Sequence, residues 1–204
     1  MSAGVRVGVS AGLSAGVSAG VNELWCWRHP PARGAAGRCI GRTDLRVDPR
    51  KAKRLAHRIR AAARRHVLPR EVWASSLQRA HAVGHWLQRW GWRLHVDARL
   101  CEMDFGRWDG KAWSEVPRAE IEAWQVDLLH HAAGAGESLL QLAARVHAFV
   151  GEGSSGPRLL VSHGGWINAL LHVPPGLHDM PASAWPAPPR HGSLTRVHGP
   201  RANG

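Results

Sequence analysis

Short apolar runs alternate along the chain with longer segments in which apolar residues recur every three or four positions. Three of the short runs are bounded by polar or glycine-rich sequence, which is typical of buried strands. They are Glu23–Trp27, Glu71–Ser75 and Arg158–Ser162. Arg93–Val96 is a further candidate strand, and Ser193–His198 is a candidate edge strand. The pattern therefore predicts a sheet assembled from distant parts of the chain.

The longer amphipathic segments predict helices between these strands. They cover Pro49–His66, Gln78–Trp90, Ser114–His131, Gly136–Val150 and Trp166–His172. Ser138 is a candidate N-cap, and Gly91 is a candidate C-cap. Segments 33–48 and 174–190 are predicted loops, and 100–110 is predicted to be irregular. Strands that alternate with helices predict an α/β fold, a three-layer α/β/α sandwich around a mostly parallel central sheet.

The length of 204 residues suits one domain with a sizeable core. We assign that domain to residues 23–198, with a C-terminal tail at 199–204. Residues 1–22 are predicted to be a flexible tail or the product of a start codon placed too far upstream. They repeat small residues and lack the dense apolar stretch of a signal peptide. No run of eighteen apolar residues occurs, so we expect no membrane-spanning segment.

Chemically capable residues follow three of the predicted strands. In open α/β sheets, ligands bind at the carboxyl ends of the strands. Arg28 and His29 follow the first strand, Ser75–Arg79 follows the second, and His163-Gly164 follows the strand at Arg158–Ser162. We therefore expect these groups to meet at one edge of the sheet.

The residue types at these strand ends suit phosphoryl chemistry. A neutral imidazole such as that of His29 can accept a phosphoryl group, and the guanidinium of Arg28 matches phosphate oxygens. Arg79 would lie in the first turn of a helix, where backbone N–H groups also favour an anion. Glu102 and Asp104 stand two positions apart, and either could act as a general acid. Taken singly, each of these residues could equally be an ordinary surface or core residue.

Taken in order, the motifs resemble those of the histidine phosphatase superfamily, which includes the cofactor-dependent phosphoglycerate mutases. The matching blocks are Arg28-His29-Pro30, Gly41-Arg42-Thr43-Asp44, Ser75–Ala80, Leu100–Gly110, Gly136-Glu137-Ser138 and Ser162–Gly165. The resemblance covers about residues 24 to 198. It departs from the family pattern at Pro30 and Pro31, where the family has glycine and a polar residue. Each proline removes a backbone donor, which puts substrate contacts from that strip in doubt.

The resemblance implies a role for each site residue. His29 would be the nucleophile, with His163, Arg28 and Arg79 around the phosphoryl oxygens. Glu102 would be the general acid and base, with Asp104 as the rival. Gly164 and Arg42 would be substrate-binding residues, and the family's chemistry implies no metal and no cofactor.

Within the superfamily, the segment DFGRWDGKAW and the later G-E-S block look most similar to alpha-ribazole phosphatases. This implies hydrolysis of alpha-ribazole 5'-phosphate, a step in cobalamin biosynthesis. Alternatives are a broad-specificity phosphatase or a phosphoglycerate mutase-type enzyme. A less favoured alternative is a basic nucleic-acid-binding protein on the same scaffold. Four of the eleven tryptophans lie in or beside predicted strands, which makes them core candidates: Trp25, Trp27, Trp73 and Trp166.

The net charge of +12 is the feature that favours nucleic acid, but its distribution does not. The basic residues are scattered except in 50–65, and a small phosphorylated substrate accounts for part of the charge. We therefore expect no nucleic-acid partner, and a monomer or homodimer. The three cysteines form no C-x-x-C pair, which predicts a reducing, cytoplasmic location. The fourteen histidines lack metal-ligand spacing, so we expect no metal site.

Overall fold

The computed structural model describes residues 23–154 and 156–198. The predicted tails at 1–22 and 199–204 lie outside the described residues. The strands of the described chain are β1 Glu23–Arg28, β2 Glu71–Ala74, β3 Arg93–Val96, β4 Arg158–Ser162 and β5 Leu194–His198. They form one sheet in the order β3-β2-β4-β1-β5, in which the first four run parallel and β5 is antiparallel to β1. The prediction of a mostly parallel sheet is confirmed.

The helices cover both faces of the sheet. They are α1 Pro49–Arg65, α2 Gln78–Arg89, α3 Arg118–Val126, α4 Leu139–Gly151 and α5 Gly164–His172. Side chains alternate across β1, so that Trp25 and Trp27 pack in the core shared with α1 and α2. Leu24 and Cys26 pack in the core shared with α4 and α5. The two cores on opposite faces of one sheet confirm the three-layer α/β/α sandwich.

The core prediction for the tryptophans is confirmed for three of the four. Trp25, Trp27 and Trp166 are buried, and Trp73 is partly buried against the core. Burial of one such side chain contributes roughly 1.5–3 kcal/mol or more to stability. The sheet's central strand, β4, is buried along its whole length, as the apolar run Leu159–Val161 predicts.

The third helix is shorter than its sequence pattern predicts. The predicted span Ser114–His131 contains α3 only from Arg118 to Val126, preceded by a 3₁₀ turn at Trp113–Glu115. No residue of α3 is fully buried, whereas Leu128 and Leu129, just beyond its end, are buried in the core. At its end the side chain of Asp127 accepts a hydrogen bond from the backbone N–H of His130, a local bond that competes with helix.

Two other helix boundaries are corrected by the structure. The helix predicted from Gly136 begins at Leu139, because Ser138 caps it by accepting from the N–H of Gln141. The predicted cap is therefore confirmed, and Gly136 lies outside the helix. The helix predicted from Trp166 begins two residues earlier, at Gly164, directly after β4. No helix in the described part of the chain is long and apolar enough to cross a membrane.

Candidate active site

The predicted strand ends meet at one edge of the sheet. Strands β2, β4 and β1 are neighbours and parallel, so their carboxyl ends lie side by side. The rings of His29 and His163 lie with their centroids 4.8 Å apart. Both side chains are buried, and so is Arg79, of whose surface 1% is exposed to solvent. The sheet order thus brings together the histidines and an arginine that are far apart in sequence.

The local backbone sets the tautomer of His29. Its Nδ1 lies 2.6 Å from the carbonyl oxygen of Pro30. A carbonyl oxygen can only accept, so Nδ1 carries the proton and donates it. In the neutral ring the lone pair is then on Nε2, which is the form that a nucleophile needs. Pro30 therefore supplies an acceptor through its carbonyl, although its ring removed a donor.

Arg79 and Ser75 hold His163 in the complementary tautomer. The Nε of Arg79 donates to Nδ1 of His163 over 3.2 Å, so this nitrogen is the acceptor. The Nε2 of His163 then donates to the Oγ of Ser75 at 2.7 Å. That hydroxyl also accepts from the N–H of Leu77. His163 is consequently a neutral, fully bonded histidine, whose Nδ1 orients the guanidinium beside it.

A loop ahead of α1 fixes the rest of Arg79. Its two Nη atoms donate to the carbonyl oxygens of Thr43, at 2.8 Å, and Gly41. Each Nη keeps a second hydrogen available for an anion. The loop itself is held by Asp109, whose carboxylate accepts from Thr43 Oγ1 and from the N–H groups of Gly41, Arg42 and Thr43. The G-x-[ST]-D segment and the W-D-G segment thus act together to position one guanidinium.

The carboxylate of Glu102 lies at the beginning of α5. Its two oxygens accept from the N–H of Met103 at 3.0 Å and of Gly165 at 3.1 Å. A Cβ on Gly165 would lie 2.4 Å from Glu102 Oε1, and one on Gly164 would lie 3.1 Å from Cζ of Arg28. The glycine pair therefore allows the acid and the arginine to approach the helix terminus closely.

A buried ion pair supports the segment that carries Glu102. Arg145 donates to the carbonyl oxygens of Arg99, Cys101 and Glu102, at 2.6–2.9 Å. Its Nε also bonds to Glu137 at 2.7 Å, and both side chains of this pair are largely buried. Sequence reasoning missed Arg145, which stands mid-helix in α4 with no motif around it. The G-E-S block was a signal for Glu137 but not for its partner.

Asp104, the alternative acid, and Arg42, the predicted substrate-binding arginine of the loop, make separate contacts. The side chain of Asp104 accepts a hydrogen bond from the N–H of Gly106 at 2.8 Å and so stabilises a local turn. The backbone of Arg42 bonds to Asp109, and within residues 23–154 and 156–198 no hydrogen bond or ion pair joins its side chain to the other predicted site residues. Of the seven predicted site residues, Arg42 is therefore the one that the geometry does not connect to the rest.

A third histidine, His191, lies at the site without having been predicted. Its ring centroid is 5.3 Å from that of His29, and its Nδ1 donates to the carbonyl oxygen of His29 at 3.0 Å. The same loop bonds Arg28, whose Nη1 donates to the carbonyl of Pro189 at 2.7 Å. The proline-rich segment that precedes β5 carries no recognisable motif, so only its return to the sheet edge reveals this contact.

Burial and nearby positive charge keep both central histidines neutral. Burial lowers the pKa of His29 well below its ordinary value, and the charges of Arg79, His191 and Arg28 lower it further, against the bond to Pro30. Burial likewise lowers the pKa of His163, with His29 and Arg79 as the next causes. Burial also lowers the pKa of Arg79, and the charge of Glu102 opposes that shift. The site is therefore a positively charged pocket around an unprotonated imidazole, which suits an anionic group.

Within the described residues, no group of three or more His, Cys, Asp or Glu side chains is arranged to hold a metal ion. The charged groups around His29 are guanidinium groups, and these can bind phosphate oxygens directly.

Comparison with known proteins identifies the class to which this site belongs. The family model of the histidine phosphatase superfamily (branch 1) matches residues 24–201. The glucosyl-3-phosphoglycerate phosphatase of Mycobacterium tuberculosis (strain CDC 1551 / Oshkosh) is 32% identical over 174 residues, which cover 72% of this chain and 76% of the relative. The chain therefore belongs to the histidine phosphatase superfamily, and it is a hydrolase of the phosphatase class.

Solved structures agree with this assignment. The native structure of mycobacterial glucosyl-3-phosphoglycerate phosphatase superimposes with a TM-score of 0.69 at 27% identity, covering 90% of this chain and 93% of that one. A protein described as mycobacterial hydrolase 1 gives a TM-score of 0.71 at 27% identity over 90% of this chain and 92% of its own. The α/β architecture is therefore that of other histidine phosphatases.

Proposed function

We propose that this phosphatase hydrolyses a small phosphorylated metabolite, without a metal, through a phosphohistidine at Nε2 of His29. The observation that carries the proposal is the tautomer of His29, whose Nδ1 is held protonated by Pro30 while burial keeps the ring neutral. A neutral imidazole with a free Nε2 is the reactive form of a histidine nucleophile. Arg28 and Arg79 lie beside it as donors for phosphoryl oxygens.

The reaction proceeds in two balanced steps. Nε2 of His29 attacks phosphorus in line, the bond from phosphorus to the ester oxygen breaks, and Glu102 gives its proton to the departing alkoxide. Water then attacks phosphorus of the phosphohistidine and Glu102 takes a proton from that water. The bond from phosphorus to Nε2 breaks, its electron pair returns to His29, and inorganic phosphate leaves. His163 orients Arg79, because its Nδ1 accepts from that guanidinium.

Glu102 is favoured over Asp104 as the acid because of its position. Glu102 lies at the beginning of α5 against Gly165, on the same side as Arg28, while Asp104 is turned into its own bond with Gly106. Arg42 is assigned to the order of its loop, beside the proposed substrate-binding residues Arg28, Arg79 and Gly164.

Two esters are the first substrate candidates. Alpha-ribazole 5'-phosphate is the candidate that the sequence motifs favour, with a place in cobalamin biosynthesis. Glucosyl-3-phosphoglycerate is favoured by the named relatives, 32% identical over 174 residues. A broad-specificity phosphatase and a phosphoglycerate mutase-type activity complete the set. We propose a cytoplasmic location and a monomer or homodimer, with no nucleic-acid partner.

The test is to trap the covalent intermediate. The wild type is incubated with radiolabelled phosphomonoester in chelator-containing buffer and quenched in alkali, in which phosphohistidine survives. Label on the wild type that is absent from His29→Ala and present on His85→Ala, an exposed histidine of α2, supports the proposal. Label that persists in His29→Ala, or turnover that requires an added metal, would contradict it. A parallel assay compares hydrolysis of the two candidate esters.

A further inference from the structure

A cavity of about 270 Å³ opens beside the proposed acid. Arg28, Glu102, Gly164 and Gly165 form its inner end, next to the reacting groups. An acid that protonates a leaving alkoxide must lie on the side of phosphorus from which the alkoxide departs. The cavity begins on that side, so the leaving group of the substrate extends into it.

The remainder of the wall is apolar and rich in aromatic rings. It is built mainly by Phe105, Trp113, Trp124, Leu128, Leu139 and Trp185. Among the lining residues of the described chain, Arg28 and Glu102 are the charged ones, and both belong to the catalytic end. The side-chain amide of Asn168 donates to the carbonyl oxygen of Pro186 at 2.8 Å. The outer wall thus presents no cation to a carboxylate and few donors to a sugar.

The aromatic rings are fixed in place. Phe105 packs edge-to-face with Trp113 and with Trp124, at 6.1 Å and 6.2 Å between ring centroids. Trp124 packs in the same manner on Trp108, which is buried in the core. Trp113 is 38% exposed, more than the other aromatic rings of the wall, and we therefore place it at the open end. These edge-to-face contacts favour defined relative orientations of the rings, among which a flat aromatic group can pack.

We propose that this cavity selects phosphomonoesters whose alcohol carries a flat, uncharged aromatic group, in preference to esters of sugars or hydroxy acids that lack such a group. The inference rests on the proposed function and specifies the substrate class. An apolar cavity of about 150 Å³ can hold a benzene ring, so this cavity has room for a two-ring group. A carboxylate placed here would lose its hydration without gaining a partner, which is costly.

The experiment compares esters of primary alcohols, so that the leaving groups differ in shape and not in chemistry at the ester oxygen. The esters are 2-(2-naphthyl)ethyl phosphate, glycerol 3-phosphate and 3-phosphoglycerate. We expect kcat/KM for the naphthyl ester to exceed that for each of the others by at least about tenfold, because of the burial of the ring. Equal or higher kcat/KM for glycerol 3-phosphate or 3-phosphoglycerate would overturn the inference.

Variants locate the effect in the cavity. Trp113→Ala is expected to raise KM for the naphthyl ester by about tenfold and to change KM for glycerol 3-phosphate much less, with partial recovery in Trp113→Phe. Trp185→Ala, on a separate loop, should act in the same way. Trp86→Ala, a partly buried tryptophan of α2 that lines a different cavity, is the control and should change neither ester. A loss that is equal for both esters would indicate a structural role and overturn the inference.

A binding measurement separates this inference from the phosphatase mechanism. Calorimetric titration with 2-(2-naphthyl)ethanol, which carries no phosphate, tests the cavity in wild type, His29→Ala and Trp113→Ala. Binding to the wild type and to His29→Ala that is weakened in Trp113→Ala supports the cavity assignment. If such binding occurs but no ester is hydrolysed, the proposed function alone fails. Absence of binding, with turnover of glycerol 3-phosphate intact, overturns the cavity assignment alone.

Discussion

The two ends of the site are built in opposite ways. At the proposed phosphoryl end, hydrogen bonds fix His29 against the carbonyl of Pro30 and hold His163 between Ser75 and Arg79. At the leaving-group end, the walls of the cavity are apolar rings that hold shape by packing. A polar site of this kind recognises one chemical group, because an unpaired buried donor is costly. A packed apolar cavity recognises shape and hydrophobicity, and can vary without altering the chemistry.

Replacement of Glu102, which lies between the two ends, should have the largest effect. Glu102→Gln keeps the shape but cannot supply a proton, so kcat for glycerol 3-phosphate or the naphthyl ester should fall by about 10² to 10⁴-fold. The fall should be smaller with 4-nitrophenyl phosphate, whose leaving group needs no proton. Steady-state kinetics with Asp104→Asn as the matched variant, expected to lose less than about tenfold, assigns the acid. The reverse order would assign it to Asp104.

Loosening the loop that holds Arg79 should lower kcat, by less than the replacement of Glu102 does. Asp109→Asn replaces a carboxylate that accepts four hydrogen bonds from Gly41, Arg42 and Thr43. A small displacement of Arg79 should lower kcat by about 10 to 10²-fold for every ester alike. Asp127→Asn, at an exposed aspartate beyond α3, is the control. A fall in kcat for the naphthyl ester alone would instead indicate that Asp109 supports the wall of the cavity.

The ion pair beneath Glu102 should contribute to both stability and activity. Arg145→Met leaves Glu137 buried without its partner, so the free energy of unfolding should fall by about 3 kcal/mol, measured by urea denaturation. The exposed pair Arg118–Glu122 gives the control, Arg118→Met, for which little change is expected. A second change, Glu137→Leu, should restore part of the stability of Arg145→Met and leave its activity low. Full recovery of activity would show that the pair does not position Glu102.

The smallest effect concerns pH. A lowered pKa keeps His29 neutral at pH values at which an ordinary histidine, with a pKa of about 6.5, is protonated. We consider the plot of kcat/KM against pH, with KM expressed as the concentration of substrate dianion. The midpoint of its acidic limb should lie below the pH range in which ordinary histidines titrate. Activity is retained above that limb and lost as pH falls through it. His191→Ala exposes His29 and removes a nearby positive charge, so its limb should move upward. A limb that moves downward would contradict this assignment of causes.

The meeting of the residues of the proposed phosphoryl end could be predicted from sequence, because they stand at positions that local pattern reveals. His29, Arg79 and His163 follow strand ends, and Ser138 begins a helix, as predicted. The bounds of α3 could not be predicted, because its apolar periodicity continues past Val126, where Leu128 and Leu129 reach the core from a turn and not from a helix. The roles of Arg145 and His191 could not be predicted either, since each side chain donates to carbonyl oxygens more than 40 residues away in the chain.

The sequence by itself determined the layer order, the parallel strands and the residues at their carboxyl ends. These follow from short-range periodicity and from the rule that parallel strands collect their ends at one edge. Only the tertiary structure decided the tautomers of the histidines, the support of Glu102 by Arg145 and the aromatic cavity. The walls of that cavity come from the turn at 113–115, α3, the start of α4 and the proline-rich loop, which have no common periodicity. Their meeting depends on packing between distant segments, and packing between distant segments leaves no local signal.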